Sequence, residues 1–161
     1  MTLDKMAKNH VLRLLHYNVV IVTAGAGSDT IGATVTFFIQ SSFDPPLITM
    51  AIKADSRLYA TIGEHRYFVA NIVERGNREL AKAFFKPQFL ADGTFGRIPA
   101  RANKAGGAII ESAPAWLGCK VVTIVEEGDH HLVVGEINAA GVMDEGAEAM
   151  CLSETGWTYG G

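Results

Sequence analysis

The chain alternates short apolar runs with polar turns, and the spacing predicts mostly strands. Residues 18–25, NVVIVTAG, are a β-branched apolar run, and 24–29, AGAGSD, make a turn. A second strand is expected over 31–41, giving a hairpin with the first. The sequence SSFDPP ends it, because two prolines cannot donate to a sheet ladder. A third strand follows over 47–54 and a fourth over 67–73. Between them, 55–65 opens on capping residues and predicts a short helix. A second helix is expected over 77–85, capped by Asn77 and stopped by Pro87. Residues 88–107 are Gly-rich and without period, so they read as a long surface loop. Residues 114–128 and 130–143 predict a long hairpin turning at EEGDH. The stretch AMCLSETGWTYGG predicts one more strand with a short extension, and residues 1–18 an amphipathic helix.

Six or more strands, few helices and short connections imply an antiparallel sheet closed into a small barrel. Strand–helix–strand alternation occurs only in the middle, whereas a doubly wound parallel sheet needs it throughout. Closure also removes the exposed edges of so many apolar strands. The 161 residues suit one domain over 1–161. Charged residues are 19%, below the usual ~25%, which hints that a second copy covers part of the surface. Net charge is −3 and no basic run exceeds a dipeptide, so no nucleic-acid partner is expected. No stretch reaches the roughly 18 apolar residues of a membrane span. The N-terminus does not read as a signal peptide, and the expected compartment is the cytoplasm.

The strand over 31–41 carries the first candidate chemistry. Alternation puts Ala33, Val35, Phe37 and Ile39 on one face, read as core. Gly32, Thr34, Thr36, Phe38 and Gln40 share the other. That second face suits either β-propensity or a polar ligand, and no charge occurs from Thr30 to Phe43. The second candidate is the helix start near Ser56. Its unpaired amides, the dipole, Lys53 and Arg57 suit a phosphate, or equally an ordinary cap with two solvated cations. The third is the pair His130 and His131. Consecutive strand residues point apart, so they do not chelate one ion, and no metal site is expected. Cys119 and Cys151 read as small buried hydrophobes. No nucleophile elbow or dinucleotide-binding glycine turn occurs in the required context.

Four segments in order resemble the flavin reductase-like family with an FMN-binding split barrel. NVVIVTAG resembles its first barrel strand. GATVTFFIQSSFDPPLITMAI resembles its Gly-x-Thr-x-Ser/Thr strand followed by a Pro-Pro turn. DSRLYATIGEHRYFVANIV resembles the helix and strand that follow. AWLGCKVVTIVEEGDHHLVVGEI resembles its long hairpin with Gly-Asp-His. Two departures stand out: Phe37 where many members have Ser, and Leu58 where many have Thr.

The resemblance implies a six-stranded antiparallel Greek-key barrel, mainly β with short helices, that forms a homodimer with flavin near the subunit interface. It implies an NAD(P)H:flavin reductase passing hydride from nicotinamide to flavin N5, or alternatively an FMN-binding electron carrier reduced by a partner. FMN is the implied cofactor, with FAD as the alternative and NADH or NADPH as co-substrate. A monooxygenase or other acceptor is the implied electron partner. By position, Thr34, Val35, Thr36 and Phe37 would meet the isoalloxazine and ribityl chain, with Ala51 and Lys53 on the neighbouring strand. Ser56 and Arg57 would hold the phosphate, and His130 would stand near flavin and nicotinamide as the catalytic residue. Trp157 or Tyr159 is expected to pack over the flavin or the partner subunit.

Overall fold

A computed structural model describes residues 2–160. The helices are α1 (Lys5–Arg13), α2 (Arg57–His65) and α3 (Arg78–Ala83). The first five strands are β1 (Val20–Ala24), β2 (Ile31–Val35), β3 (Phe38–Ser42), β4 (Leu47–Lys53) and β5 (Tyr67–Ile72). Four short ones follow: β6 (Gln88–Ala91), β7 (Thr94–Phe95), β8 (Ile98–Ala102) and β9 (Ala108–Ile110). The long hairpin is β10 (Ala115–Val125) and β11 (His130–Val142). The chain is therefore mainly β with few short helices. Its strands form one sheet in the order β3-β4-β11-β10-β5-β1-β2-β6-β7-β8-β9, with antiparallel neighbours. Among the described residues, no helix is long and apolar enough to cross a membrane.

The run VVIV is continuously apolar because β1 is covered on both sides. Val20, Val22 and Ala24 enter a core shared with Val35, Ile48, Met50, Ile62, Phe68 and Val133. Val19 and Ile21 enter a second core with Leu80, Phe84, Phe95, Ile110 and Met150. Period-two alternation thus divides one strand between two cores. Phe68 is the largest fully buried side chain of the first, and truncation to Ala would cost about 3–5 kcal/mol. Its ring is why position 135 is glycine: a Cβ there would stand 2.6 Å from Phe68.

Two buried polar side chains join the cores. Thr23 donates its hydroxyl to the Ala108 carbonyl at 2.6 Å and accepts from the Ala108 amide at 2.9 Å. Asn71 donates to the Ile21 and Ala108 carbonyls, both at 3.2 Å, and accepts from the Ile110 amide at 2.8 Å. Thr23 and Asn71 are thus both satisfied, and they bracket β9 onto the sheet.

Four expectations are corrected. The sheet has eleven strands rather than six, partly because residues 88–107 are no loop. They fold into β6, β7 and β8, pinned by pairing with β2, a tertiary contact that leaves no period in the sequence. The strand expected over 31–41 breaks at Thr36–Phe37, where the Phe38 amide donates to the Thr36 carbonyl at 3.1 Å. The break inverts the alternation, so Phe38 packs on the first core while Ile39 is 64% exposed. Residues 144–160 form no further strand. They contribute isolated bridges, Asn18 to Cys151 and Glu74 to Ala149, and one tight turn at Leu152–Glu154. Helix α1 is shorter than expected; Asp4 caps it and it buries no residue.

Candidate functional site

Because β2 stops at Val35, the chain turns away from the sheet and leaves a cavity of about 480 Å³ between this break, β4 and the start of α2. Thr34, Val35 and Thr36 line one side, Ala51 and Lys53 another, and Ser56 stands at the helix end. Trp157, Thr158 and Tyr159 cover it. Six of the eight expected cofactor-binding residues therefore meet in one place. Phe37 and Arg57 do not line it. Phe37 lies behind the cover, and Arg57 is exposed as the first residue of α2. The volume falls within the roughly 300–1,000 Å³ of small-molecule sites.

The two threonines differ. The Thr34 hydroxyl donates to the Ala81 carbonyl at 2.8 Å, and its amide donates to the Phe84 carbonyl at 3.0 Å. Thr34 thus fastens the end of β2 to α3. Thr36 is 9% exposed, and its Oγ1 is shut off from solvent without a partner. Buried hydroxyls are normally hydrogen-bonded, so this one fits a chain whose partner is a ligand.

The helix pole has its expected form. The Ser56 Oγ accepts from the Tyr59 amide at 3.2 Å as the cap of α2. Earlier amides of the helix have no intrahelical acceptor and carry the positive end of the dipole. Lys53 is exposed and pairs with Asp55 at 3.1 Å, a contact that water screens strongly.

His130 pairs with Lys53 across β11 and β4. Its Nδ1 lies 2.9 Å from Asp129 Oδ1 and its Nε2 2.6 Å from the Tyr159 hydroxyl. The hydrogen bond and charge of His130 hold the Asp129 carboxyl below its ordinary range, while burial pushes the Tyr159 phenol up. Phe37 packs edge-on against His130 at 5.6 Å and lies 5.4 Å from the Tyr159 ring. Tyr17 closes the same cluster, 5.2 Å from Phe37. His131 points away, to the Tyr59 hydroxyl at 2.8 Å. Burial, and then Glu126 at 3.0 Å, raise that phenol.

The cover is fastened at its other end by Arg78, which donates to the Thr155 carbonyl and lies 5.0 Å from the Trp157 ring centroid. Phe85 meets Trp157 edge-on at 4.9 Å. The aromatic run GWTYG signals this cover, but not which wall it would meet. Leu152, Phe85 and Pro87 also line the cavity, and no local pattern marks them.

A β-framed cavity with an orphan hydroxyl, a positive helix pole and an aromatic cover defines a ligand- or cofactor-binding β protein. Residues 12–157 match the family described as flavin reductase like domain, and the chain belongs to that family. It is 29% identical over 128 residues to a flavin reductase (NADH) from Kitasatospora aureofaciens, covering 78% of this chain and 65% of that protein. It is 26% identical over 120 residues to the stachydrine N-demethylase reductase subunit Stc3 of Rhizobium meliloti (strain 1021), covering 74% and 51%. Among solved structures, the Streptomyces globisporus C-1027 NADH:FAD oxidoreductase SgcE6, in complex with NAD and FAD fragments, superposes with a TM-score of 0.77 at 25% identity. That match covers 94% of this chain and 91% of the other. The chain spans 38%, 22% and 51% of the length of three curated relatives it matches.

Proposed function

We propose that this chain is an NAD(P)H-dependent flavin reductase that takes FMN, with FAD as the alternative flavin. The observation that carries the reading is the cavity lined by Thr36, whose buried hydroxyl has no partner within the chain, beside the positive pole of α2. Hydride transfer from nicotinamide to flavin N5 is chemistry the cofactors supply. The chain's part is to bind, orient and exclude water. Val35, Thr36 and Ala51 would flank the ring system, and Thr34 keeps that wall fixed to α3. Lys53, Ser56 and the first amides of α2 would hold the phosphate, with Arg57 adding charge from the helix surface. His130, oriented by Asp129, would hold the nicotinamide or pass a proton.

The proposal extends to assembly. β3 and β2 end the run β3-β4-β11-β10-β5-β1-β2, yet only Thr36 and Phe37 separate them in the chain. As one interrupted strand they would close a six-stranded barrel. A homodimer placing the flavin near the subunit interface, acting in the cytoplasm, completes the reading. An oxygenase as electron acceptor is supported by relatives named as reductase components, among them that of a flavin-dependent trigonelline monooxygenase. One observation favours a second reading, an electron carrier reduced by a partner: Tyr159 covers the approach to His130. Titration with FMN tests the main reading. Saturable quenching of flavin fluorescence is expected, and unquenched FMN rejects it. Rapid NADH oxidation with excess FMN then selects the reductase over the carrier.

A further inference from the structure

The walls of the cavity belong mostly to the sheet and to α2, which are packed against a core. The segment 157–159 is different: it lies in neither strand nor helix, and it covers the cavity through a few side-chain contacts. Tyr159 contributes the most directed one, its hydroxyl 2.6 Å from His130 Nε2 and its ring on Phe37. A flat aromatic ring with a polar substituent thus already lies at the histidine. Hydride transfer between two cofactors requires their rings to stack, so the donor needs a second aromatic place beside the flavin. At about 480 Å³ the cavity suits one such ligand, and the ring over it is that of Tyr159.

Resting on the flavin reading above, we infer that Tyr159 occupies the place of the nicotinamide ring and that the hydride donor enters by displacing it from His130. Tyr159 is then a competitor built into the chain, and it sets the affinity for the donor without setting that for the flavin. Trp157, held by Arg78 and Phe85, is the anchor about which the segment turns. A chain that spends part of its time covered binds its ligand more weakly by the fraction that is open. Tyr159→Ala removes the competitor, and Tyr159→Phe removes only its hydrogen bond.

The test uses the FMN-loaded protein. The KM for NADH should fall about tenfold in Y159A and about threefold in Y159F, with the Kd for FMN within about twofold of the parent. Hydrogen exchange supplies a readout apart from turnover: adding NAD⁺ to the FMN-loaded parent should speed exchange in peptides covering 155–160. An unchanged or raised KM with FMN binding intact overturns the inference, and so does exchange that slows or stays the same. A loss of FMN affinity in both variants also overturns it, making Tyr159 a wall of the flavin site. Failure of the parent to quench FMN rejects the flavin reading itself, which separates the two.

Discussion

Replacing Thr36 by Val should have two effects of opposite sign. The side chains have nearly the same shape, so the change removes the hydroxyl and little else. In the flavin-free protein that hydroxyl is buried without a partner, a state that costs about 1–3 kcal/mol. Val should therefore stabilise the flavin-free protein by about 1 kcal/mol, raising Tm by roughly 2–4 °C for a chain of this length. If a bound flavin is the missing partner, the same change deletes a hydrogen bond worth about 0.5–1.5 kcal/mol net, weakening FMN about 2- to 12-fold. Calorimetry of the flavin-free protein and a fluorescence titration with FMN read the two effects separately. A Val variant that melts earlier, or binds FMN unchanged, refutes the reasoning, because the hydroxyl is then satisfied within the chain or remote from the ligand.

Other expectations concern the rest of the site and the core. Lys53→Ala and Arg57→Ala should each weaken FMN about 2- to 5-fold more than riboflavin, as suits exposed cations near a helix pole; equal losses for both ligands would remove them from the phosphate. His130→Ala should slow NADH oxidation about 100-fold with the FMN Kd nearly unchanged, and full turnover would exclude the residue from the chemistry. Cys119 gives a pH test. Burial pushes its thiol up from 9.0 to about 12. Between those values the unfolded chain has lost the proton that the folded chain keeps, so stability falls as pH rises, by up to about 1.4 kcal/mol per unit. Denaturation midpoints of the parent should therefore drop faster above pH 9 than those of Cys119→Ala, and parallel slopes would refute the assignment.

The positions of β1, β4, β5, α2 and the β10–β11 hairpin were legible because each is a strong local signal: a β-branched run, an alternation, or a cap at Ser56. The cluster of Thr34, Thr36, Ala51, Lys53 and Ser56 follows once β2 and β4 frame the same cavity. The break at Thr36–Phe37 was not legible. Alternation assigns faces only while a strand is unbroken, so Phe38 and Ile39 exchange places after one tight turn. The strands within 88–102 take their form from β2 and from one another. Thr23 and Asn71 read as ordinary strand residues until β9 arrives to use them. The place of Tyr159 depends on His130, 29 residues away, and on Arg78 holding Trp157, contacts without local spacing.

The central claim is that this cavity holds a flavin and delivers it electrons from a nicotinamide. Its most direct test is the visible spectrum of the protein mixed with FMN under anaerobic conditions, followed by NADH or NADPH. The account predicts perturbed flavin bands on mixing, bleaching of those bands on adding the nicotinamide, and their return on admitting air. Bands identical to those of free FMN, or perturbed bands that neither nicotinamide bleaches, would contradict it.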